Sequence, residues 1–357
     1  MRLMGKTKSL IAFFLGFFLF FLYFFVFFFL PTVYPHGYIH YVFGVPVLPQ
    51  RCETPSAEKY YLTISVMVKN RAHYMAEWIE FHLMVGVQHI YLYDNDSTDN
   101  LKEVLAPYIR DNLVTLIPFP KQQVILVDGS KEIMTQKLSL KNSIEAHACE
   151  TRWMAMLDSD EFLLPAVVGN SETNKNNTLV NILKRFEDFS SVVIPWSYFT
   201  SNGWITRPNK LVIEAYTRRW KKPKHTWKHI LQPKRIKSVY SSHNFRSISG
   251  YQSVNERMKP FGNWPAMLNG GMTRRLYYEE SWYTCDLFKL HHYKTKSAED
   301  WETRLTSGHA TGADNGLSDE EIRGHWKEFF ELQNVDSEVD NTMLAYVEPL
   351  RKRLSER

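Results

Sequence analysis

The sequence predicts an α/β protein with a mainly parallel central sheet flanked by helices, preceded by one membrane-spanning helix. Three observations carry this. Short β-branched runs alternate with helix-length amphipathic segments from Tyr61 onward. The stretch Trp153–Pro165 (WMAMLDSDEFLLP) reads as buried strand interrupted by Asp158-Ser159-Asp160-Glu161. The segment Leu10–Leu30 is apolar throughout and carries no charge.

A bilayer core takes about 20 apolar residues, so Leu10–Leu30 is long enough to span it. Arg2, Lys6 and Lys8 precede the segment, and no Lys or Arg follows until Arg51. The positive-inside rule then leaves residues 1–9 as a cytosolic tail and the remainder lumenal or outside, a single-pass type II arrangement. A cleaved signal peptide fits less well, because the run is long and bulky Val33-Tyr34-Pro35-His36 follows it instead of small residues. Residues 31–59, rich in Tyr, His and Pro, read as a stem.

Net charge is +5, but without the three basic tail residues 40 Lys and Arg face 38 Asp and Glu. That balance gives no basis for nucleic-acid binding. Three cysteines, Cys52, Cys149 and Cys285, allow one disulfide and one leftover thiol, and leave the pairing open. So few cysteines mean the fold must stand on its core. Asn176-Asn177-Thr178 is a glycosylation sequon in a polar stretch; Asn95-Asp96-Ser97 also fits, but is expected to be buried in a turn. The sequence does not state an oligomeric state.

Taken in order, Leu62–Val68 is β-branched and apolar, a buried strand ended by Lys69-Asn70-Arg71. Trp78, Phe81 and Val85 then mark one face of a helix over Ala72–Val85, stopped by Gly86. His89–Tyr93 is a second strand. The turn Asp94–Asn100 follows it, and Ser97 or Asp99 is placed to cap the next helix. Leu113–Ile117 gives a third strand, and a helix over about Glu132–Cys149 leads to the acidic strand. Strands and helices alternating at these lengths form a mainly parallel sheet with right-handed crossovers. Residues 60–335 would form this domain and 336–357 a helical tail.

Such a sheet lines up Lys69-Asn70-Arg71, Asp94-Asn95-Asp96 and Asp158-Ser159-Asp160 along its carboxyl edge, where open α/β sheets bind ligands. Two carboxylates one residue apart can converge on Mg²⁺ or Mn²⁺ shared with phosphate oxygens. The bland alternative is a solvated acidic turn.

Two longer blocks add specificity: VKNRAHYMAEWIEFHLMVGVQHIYLYDNDSTDN and WMAMLDSDEFLLP. Together they resemble glycosyltransferase family 92. Shorter echoes are Trp196 with Phe199 and Gly203, His225–Ile230, and His292-Tyr293 with Lys296-Ser297. The resemblance implies a GT-A-type fold and inverting transfer of a sugar, often galactose, from a UDP-sugar to a glycan or other hydroxyl acceptor. It implies donor contacts at Lys69, Asn70, Arg71, Asp94, Asn95, Asp158 and Lys228, and metal ligands at Asp158, Asp160 and His292. Anchor and chemistry together imply the Golgi lumen. Arg71 stands where the family usually has Glu, and Trp204 where it tends to have His.

Inverting transfer also needs a base for the acceptor hydroxyl. Among Glu256, Glu279, Glu280 and Asp286, apolar-flanked Asp286 is the first candidate, with Glu256 beside it. The basic stretch Arg207–Lys237, with Trp220 and Trp227, reads as either a sugar or phosphate platform or a solvated face. A different class of function is an inactive, membrane-anchored nucleotide-sugar- or glycan-binding scaffold.

Overall fold

The structure, a computed structural model, describes residues 58–121, 123–125, 131–166, 178–222, 224–261, 284–306 and 317–357. The chain runs β1 (Tyr60–Val68), α1 (Ala72–Met84), β2 (His89–Asp94), α2 (Leu101–Arg110) and β3 (Val114–Pro118). A separate antiparallel hairpin follows, of β4 (Gln123–Ile125) and β5 (Lys131–Ile133). Next come α3 (Thr135–His147), β6 (Thr151–Asp158), β7 (Glu161–Pro165), α4 (Leu179–Leu183), β8 (Ser191–Tyr198), α5 (Val212–Ala215), β9 (Arg218–Trp220) and β10 (Lys224–Leu231). The small strands β11 (Ile236–Ser241), β12 (Asn244–Ser247), β13 (Ser253–Asn255) and β14 (Pro260–Phe261) lead to β15 (Phe288–His292). The chain ends with α6 (Ala298–Thr306), α7 (Asp319–Gln333), β16 (Ser337–Val339) and α8 (Val347–Ser355).

The central sheet has the order β14-β13-β8-β10-β6-β1-β2-β3, with β15 against β8 and β7. Its β6-β1-β2-β3 half is parallel, as expected from strand–helix alternation. The other half is mixed, with β10 antiparallel to both β6 and β8 and β15 antiparallel to β7. The inner parallel strands β1, β2 and β6 are buried on both faces, whereas edge strand β3 exposes Thr115 and Pro118. In β2, Ile90 and Leu92 join a core packed on α1 and α2, while Tyr91 and Tyr93 join a second core with Leu140 and Ile144 of α3.

Two boundaries differ from the sequence reading, and the expected stop at Gly86 holds. The helix expected from Glu132 starts at Thr135, because Lys131–Ile133 is strand. The apolar residues after the D-S-D-E turn form their own strand, β7. Helix α1 stops where Gly86 takes φ +109°, a conformation that L side chains rarely adopt. The 336–357 tail is not helical throughout, since Ser337–Val339 pairs with β9 as strand β16. It is docked, with Leu350 of α8 buried and Arg353 and Arg357 holding the buried Glu80 carboxylate of α1 at 2.8 and 2.6 Å. Cys149 is disulfide-bonded and Cys285 is a free thiol. No helix among the described residues is long and apolar enough to cross a membrane, and Leu10–Leu30 lies outside those residues.

Candidate functional site

Parallel register brings the carboxyl ends of β1, β2 and β6 together: Val68 is level with Asp94, and Met67 with Asp158. β15 adds a wall from the C-terminal half. It runs antiparallel to β7, so His292 faces Glu161 across the ladder, and parallel to β8, so His292 lies level with Tyr198. The D-S-D-E turn and His292 are therefore neighbours by sheet topology, although 131 residues of sequence separate Glu161 from His292.

The two aspartates of the turn face different partners. Asp158 Oδ2 takes the buried Lys228 ammonium at 2.7 Å, and its Oδ1 accepts from Gln136 Nε2 at 3.1 Å. Burial alone would lower the Lys228 pKa, but Asp158 and Glu161 outweigh it and keep the ammonium charged. Glu161 is sealed in the interior, where one carboxylate oxygen accepts from Asp158 N at 2.8 Å. Burial pushes its pKa well above the usual carboxylate range despite Lys228.

Asp160 faces the other way. His292 Nε2 lies 3.3 Å from its Oδ1, and Arg304 Nη1 donates to its Oδ2 at 3.0 Å. Burial would raise this carboxyl, yet His292, Arg304 and Lys296 hold it well below the ordinary range. The His292 ring is packed against Trp196 and Tyr198, with centroids 4.3 and 4.7 Å away, and burial depresses its pKa so that the imidazole is neutral at pH 7.

A cavity of about 330 Å³ opens on Asp160, walled by Asn70, Arg71, Tyr74, Lys296 and Arg304. Asn70 and Lys296 both sit at positive φ, 52° and 50°. Left-handed backbone at non-glycine residues costs of order 1 kcal/mol or more and concentrates at functional sites. Asp300 lies on the same cavity as a fixed acid: Tyr74 Oη and Ser297 Oγ donate to it, and Arg207 Nε pairs with it at 2.6 Å.

The donor set suits a divalent cation. Cis ligands on an octahedral ion with bonds near 2.1 Å stand about 3 Å apart, and Asp160 Oδ1 and His292 Nε2 are 3.3 Å apart. Among the described residues no three His, Cys, Asp or Glu side chains form a metal-holding group. An ion here would complete its shell from phosphate and water oxygens, with Asp158 free to join only by leaving Lys228.

Several expected site residues play other parts. Asp94 Oδ1 accepts from Ser97 N at 2.9 Å, and buried Asn95 donates to Phe119 O at 3.0 Å, so both shape the turn. Ser97 and Asp99 do not cap α2. Ser97 Oγ accepts from Asn70 N at 3.0 Å and Asp99 from Ala72 N, the first residue of α1, at 2.8 Å. The turn thus braces the end of β1. Lys69 does not line the cavity.

The base candidates are placed elsewhere. Glu256 accepts from the backbone N–H groups of Asp286, Leu287 and Phe288, a clamp on the start of β15. Asp286 is exposed and pairs with Arg257 at 2.8 Å. It lies before β15, six residues ahead of His292, and does not line the cavity. Trp220 and Trp227 donate to the Leu332 and His243 carbonyls, so their indoles are structural. Asn176, Glu279 and Glu280 lie outside the described residues.

Lys296, Arg304, Tyr74 and Asp300 were missed as site residues. Lys296 lies in the His292-Tyr293…Lys296-Ser297 motif; Arg304 lies in none, and reaches Asp160 from α6 while also donating to the Lys294 carbonyl.

Residues 59–323 match the model of glycosyltransferase family 92. Family 92 proteins from Ricinus communis and Oryza sativa subsp. japonica are each 27% identical over 203 and 201 residues, 55% and 54% of this chain and 33% and 31% of theirs. The matched region thus spans about a third of the length of these curated relatives. The solved structure of S. aureus TarS 1-349 aligns with 76% of this chain and 71% of its own at 11% identity, with a TM-score of 0.31.

Proposed function

The chain belongs to glycosyltransferase family 92, and from that premise we propose a membrane-anchored, inverting, GT-A-type transferase that moves a sugar, galactose in our reading, from a UDP-sugar to a hydroxyl acceptor. The observation that carries the reading is the Asp160–His292 pair, 3.3 Å apart, with Asp160 lining the cavity and His292 buried behind it. A carboxylate and a neutral imidazole at that spacing, beside a cation-rich cavity, suit a divalent ion and a diphosphate.

The residues divide the work as follows. Asp160 and His292 hold Mn²⁺ or Mg²⁺, which when bound supplies charge neutralisation for the departing UDP. Lys228 keeps Asp158 oriented and the acidic turn charge-balanced. Asn70 and Arg71 border the nucleotide. Asp300, ionised and fixed by its donors, positions groups on the acceptor side. The apolar segment Leu10–Leu30 anchors the chain in the Golgi membrane with the domain lumenal.

The test uses the full chain in mild detergent, a panel of UDP-sugars and candidate acceptors, with and without Mn²⁺, beside Asp160→Ala. Metal-stimulated UDP release from one donor, abolished in the variant, is the expected result. Absence of both UDP release and UDP binding would overturn the reading.

A further inference from the structure

The cavity over Asp160 holds more positive charge than its acids neutralise. Most of its ions are paired. Arg304 is matched by Asp160, Arg207 by Asp300, and Lys294 by Glu328. Behind the floor, Lys228 is matched by Asp158. Arg71 and Lys296 have no carboxylate in ion-pair contact among the described residues. The Arg71 guanidinium donates to the Asn70 carbonyl at 2.9 Å, and Lys296 Nζ lies 4.8 Å from the centre of the Tyr74 ring.

Both cations are held where charge is costly. Lys296 is only 7% exposed. Burial, then repulsion from Arg71 and Arg304, outweighs Asp160 and Asp300 and pushes its pKa down to about 8. Burial and Arg304 likewise lower the pKa of Arg71. Two desolvated like charges facing one cavity are destabilising unless an anion enters. Neither cation takes part in a core ion pair that would explain its burial, and Lys296 keeps a strained positive φ to stay there.

We propose that Arg71 and Lys296 form a direct clamp for the nucleotide's diphosphate, so that this chain binds UDP without a divalent cation. The inference rests on the nucleotide-sugar reading of the site. The cavity's remaining acid, Asp99, accepts from the Ala72 N–H, so Arg71 and Lys296 are left, among the described residues, as the two cations without an ion-pair partner to meet the two charges on the diphosphate of a UDP-sugar. A forked guanidinium and an ammonium lining one cavity hold its oxygens by charge-assisted hydrogen bonds. The metal at Asp160 and His292 then serves transfer rather than retention of the nucleotide. Arg71 is the residue that sets this behaviour, because its charge acts on Lys296 and an acid at that position would replace a repelling charge with an attracting one.

The experiment measures UDP and uridine affinity by calorimetry on the full chain in detergent, in EDTA and in Mn²⁺, for wild type, Arg71→Glu, Arg71→Lys and Lys296→Met. The expected result is UDP binding in EDTA, weakened roughly ten- to hundredfold or more in Arg71→Glu and Lys296→Met, the scale of one charge-assisted contact. Arg71→Lys retains part of it, and uridine affinity stays unchanged throughout. Melting temperature is the control: Arg71→Glu should hold or raise it, since it relieves repulsion, which a purely structural arginine would not do. Wild type that binds UDP only with Mn²⁺, or Arg71→Glu that binds it as tightly in EDTA, overturns the clamp and leaves the transferase reading standing. No UDP binding under either condition overturns both.

Discussion

Lys228 Nζ lies 2.7 Å from Asp158 Oδ2 and 3.6 Å from Glu161 Oε2, a buried cation lodged between the first and last acids of the D-S-D-E turn. β10 delivers it by crossing antiparallel to β6. Three acids within four residues repel one another, and this ammonium lets the turn close while Asp160 faces the cavity. The sequence sets Lys228 apart from its basic stretch as a donor contact; in the structure it does not line the cavity and is the internal counter-ion of Asp158.

Removing that cation should destabilise the fold. Breaking a buried pair by deleting one partner costs about 3–5 kcal/mol, and because the Asp158 side chain is partly exposed the low end applies here. Lys228→Met is expected to lose about 3 kcal/mol in urea unfolding. Lys228→Met with Asp158→Asn should recover part of that loss, as a double-mutant cycle would show. A strictly additive cycle would mean the two groups do not act as a pair.

Acid should unfold the domain in two phases. His82, His229 and His291 are fully buried, and burial pushes each pKa down to about 3. A base with a depressed folded pKa costs stability as pH falls below its unfolded value near 6.5, because only the unfolded chain takes the proton. Buried Glu77 and Glu161 act in the opposite sense. Burial raises both, Glu77 to about 7, so the folded chain takes up their protons first and offsets the histidines down to about pH 4.5. Below that the offset ends, and three protons correspond to a slope of about 4 kcal/mol per pH unit. Unfolding free energies at pH 7, 5.5 and 4 should show a shallow decline followed by a steep one. A uniform slope would contradict the assignment.

Glu256 and Asp286 should separate stability from catalysis. Glu256→Ala removes the acceptor for three backbone N–H groups, two from Leu287 and Phe288 to one oxygen. Unmet buried donors cost about 1–3 kcal/mol each, so a loss of several kcal/mol is expected. Asp286→Asn removes an exposed ion pair and should change stability by less than about 1 kcal/mol and leave turnover unchanged. A large loss of kcat in folded Asp286→Asn would return the base role to it.

The parallel half of the sheet was legible because β-branched runs, helix periodicity and the Gly86 stop all agreed from Leu62 to Leu157. What sequence could not supply was long-range pairing. The resemblance named His292 with Asp160, but their meeting comes from β15 lying antiparallel to β7, and Arg304, which no motif named, reaches Asp160 from α6. The Asx-rich turn misled in part, since short polar side chains bond whichever backbone N–H is near. Ser97 and Asp99 chose the residues after β1 over the helix beside them.

The role of His292 can be tested apart from transfer. Its Nε2 faces Asp160 Oδ1, so the ring is placed either to share a metal or to hold the carboxylate in position. The two differ in what happens to Mn²⁺. If His292 is a ligand, His292→Ala should raise the Mn²⁺ concentration needed for half-saturation by roughly tenfold or more, since even residues that only support a metal site change affinity by about 10–100-fold. Paramagnetic resonance of free Mn²⁺, titrated with the full chain in saturating UDP, reads this without turnover. Burial of the imidazole against Trp196 and Tyr198 means the cavity left by alanine will also lower stability, so the melting temperature must accompany the titration. Asp160→Asn sets the scale, because it removes the charged ligand while keeping its shape. A folded His292→Ala protein with an unchanged Mn²⁺ midpoint would assign the imidazole to holding Asp160, and leave the carboxylate as the ion's single side-chain ligand from this pair.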